Sequence, residues 1–289
     1  MEISAGKVKE LREKTGAGMM DCKKALTEAE GDFEKAIEIL RKKGAAVAAK
    51  RAERSANEGI ILTKAFNDGK SAIILEVNCE TDFVAKNDDF LGFANLVLNA
   101  IHALQPSSVE QVLASTFEGK NIGEELTVLI GKIGEKIEIK RFKIENSNNG
   151  LVVDYINHGS KLGVLVRVDN IDSAKAEEMS HIVKDIAMQT AAMKPLFTYR
   201  EEVPKDLLDK EIEIYKEIAR KEGKPEQILE KIALGKVGKY YEENCLFEQF
   251  FVKDNTKRIS DLINEYNKKN GTQAKLVLFH RFHLSDEKK

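Results

Sequence analysis

The chain has 289 residues, 42% of them apolar and 33% charged, a composition typical of a soluble globular protein with room for two or more domains. Lysine and arginine number 46 against 48 aspartate and glutamate, so the formal net charge is -2, which argues against a general nucleic-acid binder. The N-terminus shows no secretory signal, and no apolar run could span a bilayer. The three cysteines are too scattered for a metal cluster or a disulfide framework. We therefore expect a cytoplasmic protein with no direct membrane or nucleic-acid contact.

Residues 1–55 predict a small domain of three short helices followed by a linker. The first helix stops near the Gly-rich stretch 15–18, and Asp21 is the expected N-cap of the second. A third carries apolar residues at helical spacing from Phe33 and is expected to end near Gly44. The alanine-, lysine- and arginine-rich segment after it reads as a polar helical linker.

The next segment, 56–145, predicts one α+β unit. Two strands, 59–66 and 71–79, flank an Asp-Gly turn, which is a strong hairpin signal. A helix then begins after Asn87 as its N-cap, with its apolar residues on one face. The closing strand, 136–144, alternates apolar and polar residues, and the alternation shifts midway, which predicts a β-bulge.

The same order of elements returns in the second half. Strands at 151–157 and 162–169 precede a helix with Ser173 as the expected N-cap, and a closing strand follows only at 275–284. Two copies of a hairpin, a helix and a distant strand predict a duplicated α+β core with antiparallel sheets.

A helical hairpin interrupts the second copy at about 204–244, where two charged, amphipathic segments meet at a Gly-Lys-Pro turn. We therefore predict a division of the chain into four parts: 1–55, a helical domain and linker; 56–145, a first core subdomain; 146–265, a second core subdomain with the inserted hairpin; and 266–289, the closing strand and a C-terminal tail.

Motifs for catalysis are missing from the sequence. The nearest match to a phosphate-binding loop, at Gly69-Lys70-Ser71, has Lys64 where the motif needs glycine, and a strand follows it instead of a helix. The five histidines show no metal-ligand spacing, and no nucleophile motif is present. We expect a protein that is not an enzyme and that needs no metal or cofactor.

Two features invite a binding role, and each has a structural alternative. Asp82 and Phe83 lie in a predicted loop, where an acid beside a large aromatic is typical of a binding anchor, but Phe83 could instead cap the core while Asp82 bonds nearby backbone amides. Met19 and Met20 follow a Gly-Ala-Gly turn; methionine suits adaptable recognition, but a small helical domain could need both in its core.

Several stretches resemble the elongation factor Ts family, and they follow one another in the family's order along nearly the whole chain. The matching stretches are 11–26, 76–85, 132–135, 158–166 and 251–254, of which the first two are long and specific. The resemblance implies an N-terminal domain similar to ubiquitin-associated domains, a core of two related α+β subdomains and a coiled-coil insertion. It also implies a partner, the translational GTPase elongation factor Tu, and guanine-nucleotide exchange as the activity.

The resemblance further implies which residues meet the GTPase. The family's Asp-Phe pair wedges between helices of the partner and disturbs its Mg²⁺ site. By the matching motifs, the expected contact residues are Thr81, Asp82, Phe83, Val84, Ile133, Gly134, His158, Met19 and Met20. One departure stands out, since Gln189-Thr190 replaces the family's usual His-Ile.

Two other functions fit the residues less completely. A helical domain plus a coiled coil could form an adaptor or a nascent-chain binder, and dispersed side chains could form the active site of an enzyme. Neither explains the full run of matching stretches. A homodimer, through the core or through the helical hairpin, is a further possibility.

Overall fold

A computed structural model describes residues 3–286. The helices are α1 Ala5–Thr15, α2 Met19–Glu28, α3 Phe33–Arg51, α4 Asp88–Leu104, α5 Val109–Ala114, α6 Ile122–Ile133, α7 Ala176–Met193, α8 Lys205–Lys221, α9 Glu226–Asn244 and α10 Ile259–Asn270. The strands are β1 Glu58–Phe66, β2 Ser71–Cys79, β3 Thr116–Phe117, β4 Lys120–Asn121, β5 Ile137–Asn146, β6 Leu151–Ile156, β7 Leu162–Asp169, β8 Phe250–Phe251, β9 Asp254–Arg258 and β10 Lys275–His283. The predicted α+β class is confirmed.

The first three helices pack around a small apolar centre that includes Leu11 and Leu26. The expectation that Asp21 caps α2 is wrong: the helix begins at Met19, with Gly18 in the cap position and no side-chain cap. Asp21 lies in the first turn, where its charge suits the helix dipole and its carboxylate pairs with Lys43 of α3.

The third helix does not end near Gly44 but continues to Arg51. Gly44 is a packing residue, because a Cβ there would lie 2.8 Å from the carbonyl oxygen of Thr127 on α6. A Cβ on Gly131 of α6 would lie 2.8 Å from the Cα of Gly44. Paired glycines thus let the two helices approach closely, and they join the N-terminal helices to the core.

The first sheet has the order β1-β2-β5 and is antiparallel throughout. The predicted bulge is confirmed, because the partners of β2 jump from Arg141, opposite Glu76, to Ile139, opposite Val77. The α4 helix covers this sheet, and its predicted cap is also confirmed: the side chain of Asn87 accepts the Asp89 amide at 2.9 Å.

The second sheet repeats the first, with the order β6-β7-β10 and α7 packed on it. Here the expected cap at Ser173 is wrong, since Asp172 caps the short 3₁₀ turn that precedes α7. The duplication also goes further than predicted. In each half a two-stranded ribbon and then a helix, β3–β4 with α6 and β8–β9 with α10, precede the closing strand.

The two sheets pack against each other through a shared apolar layer. This layer contains Ile61, Ala72, Ile74, Val152, Leu165, Phe282 and Leu284. A Cβ on Gly163 of β7 would lie 2.6 Å from a methyl carbon of Ile61 on β1, so the sheets are in close contact there. The two sheets thus share one packed layer, and the loops of the first half project from it.

The predicted helical hairpin is formed by α8 and α9, which pack through small and aliphatic residues such as Ala219, Leu229 and Ala233. Among residues 3–286, no helix is both long enough and apolar enough to cross a membrane. The likeness of the N-terminal helices to ubiquitin-associated domains and the boundaries of the four parts stay predictions.

Candidate functional site

The loop between β2 and α4, residues 80–87, carries the most exposed large apolar side chain of the described chain. Phe83 is 82% exposed, and a 3₁₀ turn at Val84–Lys86 follows it. Ala85 is buried, and Val84 packs partly against the core, so these two neighbours anchor the loop. Phe83 therefore does not cap the core. It projects into solvent, which is how an aromatic anchor for a partner would be presented.

The loop is fixed on one side by Glu135, which follows α6. Its carboxylate accepts the Thr81 hydroxyl at 2.8 Å and the Thr81 amide at 3.1 Å. The Thr81 hydroxyl in turn accepts the Val84 amide at 3.3 Å. Hydrogen bonds to an ionised acceptor are stronger than neutral ones, so this contact ties the start of the loop to the end of α6.

The other side of the loop base is fixed by Glu80. Its carboxylate accepts the Lys136 amide at 2.6 Å and the Arg51 guanidinium at 2.8 Å. Burial raises the pKa of Glu80, but these two bonds and the positive charge of Arg51 outweigh it, and the pKa lies below its ordinary value. The last turn of α3 is thereby linked to the loop.

Asp82 is held in its ionised form by neighbouring lysines. Lys86 donates to its carboxylate at 3.0 Å and, with a further contribution from the charge of Lys161, lowers the pKa of Asp82. Lys161 pairs with Glu58 at 2.9 Å, and this bond, followed by the charge of Asp82, raises the pKa of Lys161. The acid beside Phe83 therefore carries a negative charge at neutral pH.

Ile133 and Gly134 form the C-terminal end of α6. Ile133 packs partly against the first core, and Gly134 adopts a left-handed conformation with φ 80°. Its amide donates to the Ile130 carbonyl at 2.8 Å, which closes the helix. Since Glu135 comes directly after Gly134, the structure places this predicted pair beside the Thr81 end of the loop.

His158 is exposed in the turn between β6 and β7. Its amide donates to the side chain of Asn157 at 2.9 Å, and the carbonyl of Ser160 accepts the Ile61 amide at 2.7 Å. The turn thus lies against β1. Lys161 lies at the end of this turn, and its positive charge helps to lower the pKa of Asp82.

Met19 and Met20 are 57% and 65% exposed, so neither belongs to the core of the helical domain. The turn before them lies against α6, because a Cβ on Gly16 would be 2.9 Å from the Lys132 ammonium. Lys132 also pairs with Asp89 of α4 at 2.7 Å. The α1–α2 turn, the end of α6 and the start of α4 therefore adjoin.

The predicted residues are thus joined to different degrees. Thr81, Asp82 and the segment at Gly134 are linked by bonds or by charge. His158, Met19 and Met20 are exposed on neighbouring turns, and their side chains are not bonded to the loop. Glu80, Lys161 and Glu135 hold the site in place, but their role was not predicted from the sequence. All three lie in the stretches that match the family, yet a contact over a long range of sequence leaves no local pattern.

The described residues offer no group of three or more histidine, cysteine, aspartate or glutamate side chains that could hold a metal ion. Cys79 lies beneath the loop and donates to the Thr81 carbonyl at 3.1 Å. Burial, and then the charge of Glu135, raises the pKa of this thiol to about 12, so it is not a nucleophile at neutral pH.

Comparison with known proteins identifies the family that this chain resembles. The family model described as Elongation factor TS matches residues 80–286, which include the loop, the end of α6 and the turn with His158. Elongation factor Ts of Chloroherpeton thalassium is 45% identical over 290 residues, 99% of this chain and 99% of that protein. Elongation factor Ts of Clostridium botulinum, strain Alaska E43, is 48% identical over 282 residues, 97% of this chain and 92% of that protein.

Proposed function

The chain belongs to the elongation factor Ts family, and on that premise we propose that it is a guanine-nucleotide exchange factor for elongation factor Tu in translation elongation. In this proposal the protein binds elongation factor Tu·GDP, disturbs its Mg²⁺ and phosphate site and promotes the release of GDP. The observation that carries the proposal is Phe83, an 82% exposed aromatic beside the ionised Asp82 on a firmly anchored loop.

The physical basis is linkage between two ligands of the GTPase. A factor that binds the nucleotide-free form better than the GDP-bound form must weaken GDP binding by the same ratio. Because Mg²⁺ bridges phosphate oxygens and protein ligands, a wedge that displaces it removes a large local attraction for GDP. Asp82 would bring a negative charge to that region, and Phe83 would hold the partner's helices apart.

Phe83 alone is too small for the whole effect. A ~10⁴-fold weakening of GDP needs about 5.5 kcal/mol of differential binding. One buried phenylalanine contributes about 2–3 kcal/mol. A wider surface must therefore hold the wedge in place.

The other predicted contact residues are our proposal for that wider surface. Thr81 and Val84 flank the wedge, and Ile133 and Gly134 lie at the end of the neighbouring α6. The exposure of His158, and of the two methionines at the start of α2, supports a role for each in docking.

We further propose that the chain promotes nucleotide exchange without chemical catalysis and without a cofactor. In this proposal it makes no direct contact with nucleic acid or with a membrane. A cytoplasmic location belongs to the proposal too. Dimerisation, through the core or through α8 and α9, stays a prediction that size measurement in solution would test.

The test is stopped-flow release of a fluorescent GDP analogue from elongation factor Tu with rising concentrations of this protein. We expect the release rate to increase and to saturate, and we expect the Asp82→Ala, Phe83→Ala double variant to lose most of the acceleration. No acceleration by the wild-type chain with a matched partner would overturn the proposal and return the adaptor function to first place.

A further inference from the structure

Glu135 has no place in the set of proposed partner contacts, yet it holds the loop more directly than any residue in that set. Both oxygens of its carboxylate accept from Thr81, one from the hydroxyl at 2.8 Å and one from the amide at 3.1 Å. The side chain is only partly exposed, and both of its bonds go to the loop. No other carboxylate among the described residues makes a comparable pair of bonds to the loop backbone and side chain.

Glu80 and the buried Ala85 fix the two ends of the loop, whereas Glu135 acts on Thr81, close to the exposed aromatic. The backbone bonds within the loop run from the Ala85 amide to the Thr81 carbonyl at 3.2 Å, from the Lys86 amide to the Phe83 carbonyl at 3.3 Å and from the Asn87 amide to the Val84 carbonyl at 2.9 Å. Thr81 is the centre of this small network, because its hydroxyl also accepts the Val84 amide. Releasing Thr81 would therefore loosen the residues on both sides of Phe83.

The backbone that carries Glu135 is itself well fixed. Gly134 closes α6 in a left-handed conformation, and the Lys136 amide that follows donates to Glu80 at 2.6 Å. The carboxylate of Glu135 is thus held between a helix end and the start of β5. A group in that position can set the direction of the loop relative to α6.

We propose that Glu135 is a positioning residue for nucleotide exchange: by binding Thr81 it preorganises the loop so that Phe83 enters the GTPase without first being ordered. This inference rests on the exchange function proposed above. Its physical basis is that ordering a loop during binding costs free energy. In a preorganised loop, this cost is already included in the free energy of folding.

The principal test is the saturating rate of GDP release with Glu135→Ala. Loss of a pair of bonds to a charged acceptor should lower this rate roughly tenfold. The concentration for half-saturation should change much less, because the remaining surface still docks. Glu135→Gln keeps one acceptor oxygen for the Thr81 amide and should recover most of the rate.

A double variant tests whether Glu135 acts through Thr81. Thr81→Val removes the hydroxyl and keeps the amide and the side-chain shape. If Glu135 acts through Thr81, the Glu135→Ala, Thr81→Val double variant should be little slower than the slower single variant. Additive losses would show that Glu135 acts by another route.

Glu138→Ala is the matched control. It removes a partly buried carboxylate from β5, three residues after Glu135; this carboxylate pairs with Lys136 at 3.1 Å and does not bond to Thr81, Phe83 or Val84. This variant should release GDP at the wild-type rate. A loss equal to that of Glu135→Ala would mean that general weakening of the strand, and not the bond to Thr81, causes the effect.

Loop order can be read without the GTPase, which separates this inference from the exchange function. Amide hydrogen exchange of Thr81 and Val84, followed by NMR on the isolated protein, should become faster in Glu135→Ala and stay near wild type in Glu138→Ala. Unchanged protection together with unchanged GDP release would overturn the positioning role. Inactivity of the wild-type chain would instead contradict the exchange function, and faster amide exchange in Glu135→Ala would still support the role of Glu135 in ordering the loop.

Discussion

The two halves of the core use the same strand-to-helix connection in opposite ways. In the first half, residues 80–87 join β2 to α4 and project Phe83 into solvent. In the second, residues 170–175 join β7 to α7, and the apolar residue there, Ile171, packs partly against the core. The Ile171 amide is also bonded to the Asn149 carbonyl at 2.9 Å. One copy of the fold packs the apolar residue of this connection against the core, and the other copy exposes it to solvent.

The anchors explain how the first connection can carry an exposed aromatic. Glu80 and Glu135 hold its base from two sides, so the loop does not need Phe83 in the core for its own order. The second connection is held differently: Ile171 packs partly against the core, and Asp172 caps the 3₁₀ turn. The Asn149 amide group and the Tyr266 hydroxyl also donate to it, to the Asn170 side chain at 2.8 Å and to the Lys175 carbonyl at 3.3 Å. The exposed aromatic of the first half is thus held in place by two partly buried carboxylates.

The largest effect expected from this comparison is on exchange by Phe83→Ala. Loss of about 2–3 kcal/mol of contact at the wedge corresponds to a release rate lower by roughly 30- to 150-fold at a fixed concentration. Because the side chain is exposed, the free energy of unfolding in urea should change by less than about 0.5 kcal/mol. A large loss of stability would mean that Phe83 serves the fold.

Ile171→Ala should show the reverse behaviour. Removal of a partly buried aliphatic side chain should lower the free energy of unfolding by about 1–2 kcal/mol. GDP release should stay at the wild-type rate under conditions where the variant is folded. Slower release by this variant would indicate that both connections contact the GTPase, and the two halves would then not differ in function.

The last helix of each half ends at a glycine in the left-handed conformation. Gly134 ends α6 with φ 80° and Gly271 ends α10 with φ 65°, and a Cβ would meet no atom within 4 Å at either site. Alanine should therefore cost only backbone strain, about 1 kcal/mol of unfolding free energy in each case. Only Gly134→Ala should also slow GDP release, since Glu135 follows it. Equal rates for the two variants would argue against that link.

The ends of β2 and β7 should differ in the pH dependence of stability. Burial raises the pKa of Cys79 from 9.0 to about 12, so the stability it contributes is present below pH 9 and is lost as pH rises towards 12. Burial also acts to raise the pKa of Asp169, but bonds from Arg167 and Ser147 outweigh it and lower the pKa. Its contribution is therefore present above pH 3.8, the ordinary value, and is lost as pH falls through the lowered pKa.

Urea unfolding across pH would check these two signs. Cys79→Ala should flatten the alkaline side of the profile, and Asp169→Asn should flatten the acid side. The reverse assignment would show that these two groups do not govern the profile.

The architecture was readable from the sequence wherever local signals decide structure. The Asp-Gly turn, the Asn87 cap and the alternation in the strands each act over a few residues, and each prediction from them was confirmed. The end of α3 was not readable, because Gly44 resembles a helix stop unless Gly131 of α6 is known to lie against it. Helices α6 and α10 were missed: α6 combines β-branched residues with internal glycines, and α10 has a weakly apolar, asparagine- and lysine-rich sequence.

The site was only partly readable. Residue patterns alone left Phe83 open between core and surface, and the family resemblance favoured the surface, where the structure places it. Glu135 could not be found from spacing, because it reaches Thr81 across 54 positions of the chain. Contacts of that range depend on how β2, α6 and β5 pack together.

We claim that Phe83 acts during nucleotide release rather than only in docking, and a full concentration series of Phe83→Ala tests this role most directly. The measurement is the rate of fluorescent GDP release from elongation factor Tu, followed until it saturates. We predict a saturating rate far below that of the wild type with a half-saturating concentration that changes by less. Recovery of the wild-type rate at high concentration of the variant would contradict the claim, since Phe83 would then contribute affinity alone.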